Sequence, residues 1–269
     1  MKKIARITTQ KRNKERYNIY ISDGEREFYA FSVDEAILIQ YALRKGMELE
    51  DEFLDELLRQ NSIYEAYTRA IHFLSYRMRT KKEIKDHLFK KEIEPEQIEQ
   101  VMERLERDKL IDDAEFANMF VRTRVNTSDK GPGHVRRELL EKGVAPQIAE
   151  EALKFYSFED EREKAVKFAQ KKVRQPKQES SLQLKQRIQA SLMQKGFSQG
   201  AIKEALNELS DIRDENDEQA ALSRQGEKLL RKHGRAYEGY ELRQKVTEAL
   251  YRKGFSFDSI RAYLDEHMK

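Results

Sequence analysis

The chain has no cysteine and no tryptophan, and only 4 prolines and 11 glycines among 269 residues. Without cysteine there is no disulfide, no thiolate metal ligand and no thiol nucleophile. With so few helix breakers, a mainly helical chain is expected. No apolar run approaches the roughly 20 residues that a transmembrane helix needs. The opening segment, Met1 to Lys14, carries bases but no apolar stretch, so no secretory signal is expected and the cytoplasm is the expected compartment. Aromatics are 9% of the chain, and hydrophobic residues are 38%, no more than the charged ones. One deep core would need more apolar side chains, so several small modules are expected. Neither sign of charge is in excess: 52 Lys and Arg face 49 Asp and Glu, a formal net charge of +3. A binding surface of one sign must therefore come from local sorting.

Catalytic patterns are missing too. The histidines His72, His87, His134, His233 and His267 form no i, i+4 pair and no His-Glu-x-x-His pattern. Gly131-Pro132-Gly133 lacks the lysine and hydroxyl of a phosphate loop and reads as a connector. No serine sits in a nucleophile-elbow pattern. The expectation is a protein that is not an enzyme and needs no metal or cofactor.

What is present divides into two styles. Ile4 to Ile7, Tyr17 to Ile21 and Phe28 to Phe31 are β-branched and aromatic runs, and Asp23-Gly24 is a hairpin turn signal. They predict a small three-stranded sheet. Ser32-Val33-Asp34-Glu35 reads as a capping box that opens a short helix through Leu43, closed by Gly46. A second helix is expected around Phe53 to Leu58, in a segment holding Glu48, Glu50, Asp51, Glu52, Asp55 and Glu56 but no base.

The rest aligns on a recurring helix end. With Glu92, Gly143, Gly196 and Gly254 as position zero, position −8 holds Ile84, Val135, Ile188 and Val246, and position −4 holds Leu88, Leu139, Leu192 and Leu250. Lys91, Lys142, Lys195 and Lys253 stand at −1; Ile93, Val144, Phe197 and Phe255 at +1. Ile98, Ala149, Ile202 and Ile260 stand at +6, and Met102, Leu153, Leu206 and Leu264 at +10. Residues −8 and −4 share one helix face, as do +6 and +10, and the anchor supplies the left-handed turn between them. Each window is a helix hairpin preceded by another helix, and the anchor spacings of 51, 53 and 58 residues suit three helices per unit. The expected architecture is mainly α: tandem three-helix repeats in an elongated, possibly curved array behind a small N-terminal sheet. Expected boundaries are 1–62 for the N-terminal part, then 63–111, 112–158, 159–212 and 213–269 for the four repeats.

Basic residues cluster near the junction of first and second helices and before each anchor. The candidates are Arg77, Arg79, Lys81, Lys82 and Lys91 in repeat 1, and Arg122, Arg124, Lys130, Arg136, Arg137 and Lys142 in repeat 2. Lys171, Lys172, Arg174 and Lys195 follow in repeat 3, and Arg231, Lys232 and Lys253 in repeat 4. Stacked repeats would present them as a stripe suited to phosphates or to an acidic protein groove. The bland alternative is a solvated face, with lysines answering helix dipoles.

The run from Ala70 to Ile84, with its paired Arg77-x-Arg79 and Thr80-x-x-Glu83, resembles the signature of the RecX family. Leu105 to Ala117 is similar to that family's link between units, and Gly131 to Leu139 followed by Lys142-Gly143-Val144 resembles its second unit. Ser32 to Leu49 looks like the longer Gram-positive members. Glu92 and His134 depart from the pattern, where Gly and Arg are expected. The resemblance implies a regulator of homologous recombination and the SOS response. Such proteins bind the RecA–single-stranded-DNA filament in its groove and inhibit strand exchange and co-protease activity. It implies RecA and single-stranded DNA as partners, with no membrane role and a monomeric chain, and makes Arg77/Arg79, Arg122, Arg124, Arg136 and Arg137 the first bets for contact. The competing reading is a sequence-tolerant nucleic-acid-binding repeat protein without a RecA role, which predicts steeply salt-dependent binding to single strands.

Overall fold

The structure, a computed structural model, describes residues 2–173, 179–210 and 215–268. It is mainly helical behind an N-terminal sheet. Strands β1 (Lys2–Thr9), β2 (Arg16–Ser22) and β3 (Glu27–Asp34) form an antiparallel meander. A fourth strand, β4 (Glu48–Leu49), pairs with β1 and gives the order β3-β2-β1-β4. The expected sheet lacked this strand because two residues carry no period-2 pattern. Ile4, Ile19, Ile21, Phe31 and Val33 bury one face of the sheet against Ile37, Leu49 and Leu57.

The cap of helix α1 (Glu35–Gln40) lies two residues later than expected. Ser32 is still in β3, and Asp34 is the N-cap, its carboxylate accepting from the Ala36 N–H at 3.1 Å. The helix also ends early, at Tyr41, with Ala42 at φ 46°. Helix α2 (Asp51–Leu74) is one unbroken rod where two helices were expected, and it crosses the expected boundary at 62/63. No glycine or proline interrupts it, so nothing forces a break. Buried Asn61 ties it to the sheet by accepting from Asp34 N–H and donating to the Ser32 carbonyl.

The four repeats have the expected three helices each. Repeat 1 uses the C-terminal part of α2, then α3 (Lys81–Phe89) and α4 (Pro95–Arg107). Repeat 2 is α5 (Asp113–Thr127), α6 (Pro132–Glu141) and α7 (Pro146–Leu153). Repeat 3 is α8 (Phe158–Val173), α9 (Ser181–Gln194) and α10 (Gln199–Ser210). Repeat 4 is α11 (Glu215–His233), α12 (Gly239–Arg252) and α13 (Phe257–His267). The −8 and −4 residues of all four repeats are completely buried. The anchors are all left-handed, with φ of 59° at Glu92 and 82–85° at the three glycines. No helix among the described residues is long and apolar enough to cross a membrane.

The chain divides into two compact units: residues up to Phe116 together with Lys142–Val144, and Ala117–Glu141 together with Ala145 onward. In both, the start of one repeat's middle helix is bonded to the helix-end corner of the next repeat. In the first unit Thr80 donates its hydroxyl to the Lys142 carbonyl at 2.7 Å. In the second, Gly131 and Gly133 donate their N–H groups to the Lys195 and Gly196 carbonyls, each at 2.9 Å, and Ser180 donates to the Lys253 carbonyl. The lysine before each of these anchors thus serves first through its backbone, as the acceptor that an N-cap reaches.

Close approach at these corners explains why three anchors are glycine and one is not. A Cβ on Gly143 would meet Lys82, one on Gly196 would lie 2.3 Å from the backbone nitrogen of His134, and one on Gly254 would meet Ser180 and Leu182. Repeat 1 follows no other repeat, and the Glu92 side chain is exposed. Only backbone conformation constrains that position, and a non-glycine residue can bear it at a modest cost.

Candidate nucleic-acid interface

The basic candidates separate by what already holds them. In the first unit, Glu83 takes both Arg77 at 3.0 Å and Lys142 at 2.9 Å. Glu83 also completes the capping box, its carboxylate accepting from Thr80 N–H at 3.3 Å while Thr80 Oγ1 accepts from Glu83 N–H at 3.1 Å. Burial alone would raise the Glu83 carboxyl, but hydrogen bonds from Arg77, Lys142 and Thr80 outweigh it and hold the pKa at about 2. A carboxyl depressed from its ordinary 4.5 stabilises the fold fully above that value and loses the effect as pH falls towards 2. Glu83→Gln is therefore expected to lower stability at pH 7 by about 1 kcal/mol, allowing for its partial exposure. Denaturant melts at pH 7 and pH 3 should show this gap shrinking in acid, and a gap that stays constant with pH would refute the assignment.

Arg79 is half-buried. Its guanidinium carbon lies 4.0 Å above the Phe73 ring, which stacks on His87 at 3.9 Å, and its Nε is buried without a partner. Burial and the neighbouring Arg77 push its pKa down. Lys81 pairs with Glu106 at 2.9 Å, while its N–H caps onto Asp113. The Lys82 side chain lies against the Gly143 corner. Lys91 is exposed, with no ion-pair partner among the described residues.

The second unit is sorted the same way. Arg124 binds Glu138 at 2.7 Å and covers Phe120 at 4.6 Å. Arg136 is paired with Glu150, and Arg122 lies 4.4 Å over Phe155. Lys130, Arg137, Lys171, Lys172, Arg231, Lys232 and Lys253 have no carboxylate partner among the described residues. Arg174 lies outside the described residues. Lys195 pairs with Asp129.

Four of the cations converge. Lys130 and Arg137 from the α5–α6 side, Lys172 from α8 and Lys195 from the end of α9 line a groove of about 500 Å³ with His134 and Phe168. The Phe168 ring lies under two ammonium groups, Lys172 at 5.5 Å and Lys195 at 5.1 Å. Among the described residues Arg137 meets only weak acceptors, the Gln194 carbonyl at 3.4 Å and a His134 ring nitrogen at 3.5 Å. The groove is braced from behind. Tyr156 donates to the Lys130 carbonyl at 2.7 Å, and Lys164 caps the end of α5 through the carbonyls of Arg124, Val125 and Ser128. Burial lowers the Lys164 pKa and raises that of Tyr156.

Sequence reasoning missed Phe73, Phe120, Phe155 and Phe168 as rings beneath cations, because each also reads as an apolar helix position. It also missed Glu83 as a counter-ion. The signal was available in the repeat register, since position −9 holds Glu83, His134, Arg187 and Lys245, a change of charge at one structural place. The acidic stretch of the N-terminal part lines a different groove in the first unit, with Glu48, Glu50, Asp51 and Glu52 beside Lys2 and Leu49.

Family comparisons match this arrangement segment by segment. The regulatory protein RecX N-terminal domain matches residues 2–50, the first RecX three-helix domain 66–105 and the second 112–153. The third three-helix domain matches twice, at 159–206 and 216–264. The chain belongs to the RecX family. Regulatory protein RecX of Oceanobacillus iheyensis is 47% identical, covering 100% of this chain and 99% of its own. Those of Bacillus cytotoxicus and Halalkalibacterium halodurans are each 41% identical, covering 97% and 98% of this chain and 96% and 99% of their own. A crystal structure of regulatory protein RecX superposes with a TM-score of 0.65 at 37% identity, covering 76% of this chain and 98% of that one. The crystal structure of RecX from Lactobacillus salivarius gives 0.54 at 36% identity, covering 56% of this chain and 98% of its own. These relatives carry the name of regulatory proteins. The double match of the third domain accords with RecX repeats 3 and 4 sharing longer middle helices than repeats 1 and 2.

Proposed function

We propose that this RecX-family chain binds the RecA–single-stranded-DNA filament in the cytoplasm as a monomer, and restrains recombinase and co-protease activity without any catalytic step of its own. The observation that carries the reading is the sorting of cations. Arg77, Arg124, Arg136 and Lys142 are engaged by carboxylates within the chain, whereas Lys130, Arg137, Lys172, Arg231 and Lys232 keep their charge for an outside partner. A repeat protein with uncompensated cations suits a long polyanionic partner better than a small substrate. Among the described residues no group of three histidine or carboxylate side chains is placed to hold a metal ion.

The test is RecA's DNA-dependent ATPase and strand exchange at substoichiometric protein. Several-fold inhibition of both is the expected result. No change in either at saturating protein would overturn the reading and favour a nucleic-acid-binding role without RecA.

A further inference from the structure

One corner of the repeat array carries its own counter-ion, and the next has lost it. At position −9 repeat 1 has Glu83, which neutralises Lys142, the lysine before the following anchor. At the same position repeat 2 has His134, whose ring lies 3.6 Å from Glu138, a carboxylate already engaged by Arg124. The lysine before the following anchor, Lys195, turns instead to Asp129. That pair leaves Lys130, Arg137 and Lys172 around the groove with no carboxylate partner among the described residues.

We infer that this groove, formed between α6, α8 and α9, is a phosphodiester-binding site that grips the backbone of a single nucleic-acid strand, with Arg137 as its anchor and Lys130 and Lys172 on either side. Among the described residues Arg137 holds only long contacts to a carbonyl and an imidazole, so an incoming phosphate oxygen gains a charge-assisted bond while displacing little. Two ammonium groups already lie within 5.5 Å of the Phe168 ring centre, so a base stacking there would have to displace them. Recognition is therefore of backbone charge and is tolerant of sequence. A groove of about 500 Å³ is large enough for a nucleotide-sized segment. This places phosphate contact inside the surface assigned above to the filament, and so rests on that reading only for its biological setting.

The experiment uses the full chain and a labelled oligothymidylate without RecA, followed by fluorescence anisotropy across a salt series. Arg137→Glu/Lys172→Glu is expected to bind at least tenfold more weakly than wild type. The milder Arg137→Gln/Lys172→Gln should flatten the log–log salt slope by about 1.4, two single-strand contacts at about 0.7 each. The thermal melt of the glutamine variant should overlay that of wild type, because neither side chain has a carboxylate partner among the described residues. If the charge reversal alone melts early, the glutamine variant decides. Unchanged affinity and slope overturn the inference. So does competition by inorganic phosphate at concentrations no higher than those of oligonucleotide phosphate, which would mark a small-anion site. A variant that keeps naked-strand binding but no longer inhibits RecA would mark the groove as a protein contact, overturning the inference and sparing the proposed function. If the wild type binds strands through these residues yet leaves RecA unaffected, the groove assignment stands and the functional reading falls.

Discussion

Gly196→Ala is expected to destabilise the second unit by about 2–5 kcal/mol. About 1–2 kcal/mol comes from placing a side chain at φ 82°, and a further 1–3 kcal/mol from overpacking. The overpacking is severe because the new Cβ would lie 2.3 Å from the His134 nitrogen and 2.9 Å from the Gly133 carbonyl carbon, and backbone cannot rotate away as a side chain can. Relief would require separating the corner from α6, breaking the bonds from Gly131 and Gly133 to the Lys195 and Gly196 carbonyls. The control is Glu92→Gly, at the same repeat position. Loss of the left-handed penalty is there offset by the greater freedom of glycine in the unfolded chain, so stability should change by less than about 1 kcal/mol. Hydrogen exchange of α6 and α9 measures the first effect locally. A loss at position 196 no greater than the roughly 1–2 kcal/mol due to backbone conformation would show that the corner contacts contribute nothing.

Charge reversal at Arg77 and Arg79 is expected to act mainly on stability, lowering it by about 2 kcal/mol, although the sequence makes this pair the first choice for a binding test. A glutamate at 77 would face Glu83, which now accepts bonds from Arg77 at 3.0 and 3.2 Å, and would turn a partly exposed attraction into a repulsion. A glutamate at 79 would lose the guanidinium's place on Phe73 and expose a carboxylate to the ring's negative face. Any loss of filament inhibition in Arg77→Glu/Arg79→Glu would then reflect an altered repeat 1. Circular dichroism melts decide this, and a variant that melts like wild type while losing inhibition would return the pair to the interface. The comparison variant is the one at Arg137 and Lys172, which removes positive charge without breaking an internal ion pair.

Much of the repeat fold was legible in the sequence for a simple physical reason. Helical periodicity and a left-handed stop are local properties, so Ile84/Leu88 and their three counterparts, with the anchor four residues on, marked each hairpin without any knowledge of its neighbours. Local cues failed where a distant partner made the choice. Ser32 carries a good cap signal, yet it remains in β3 because that strand pairs with β2, and Asp34 takes the cap. Strand β4 exists only because β1 offers it an edge.

The sequence by itself determined the helical class, the three-helix period and the register of the four corners, because these follow from where apolar residues and glycines recur along the chain. It also determined which residues are cationic, and the resemblance it carries named the family. Only the tertiary structure decided which of those cations are available. A charge's partner is set by proximity in space: Glu83 reaches Lys142 across 59 residues, and the groove gathers Lys130 from a loop, Arg137 from α6, Lys172 from α8 and Lys195 from the cap of α9. No pattern of spacing along one helix encodes that difference, and with it the choice between a structural arginine and a binding one.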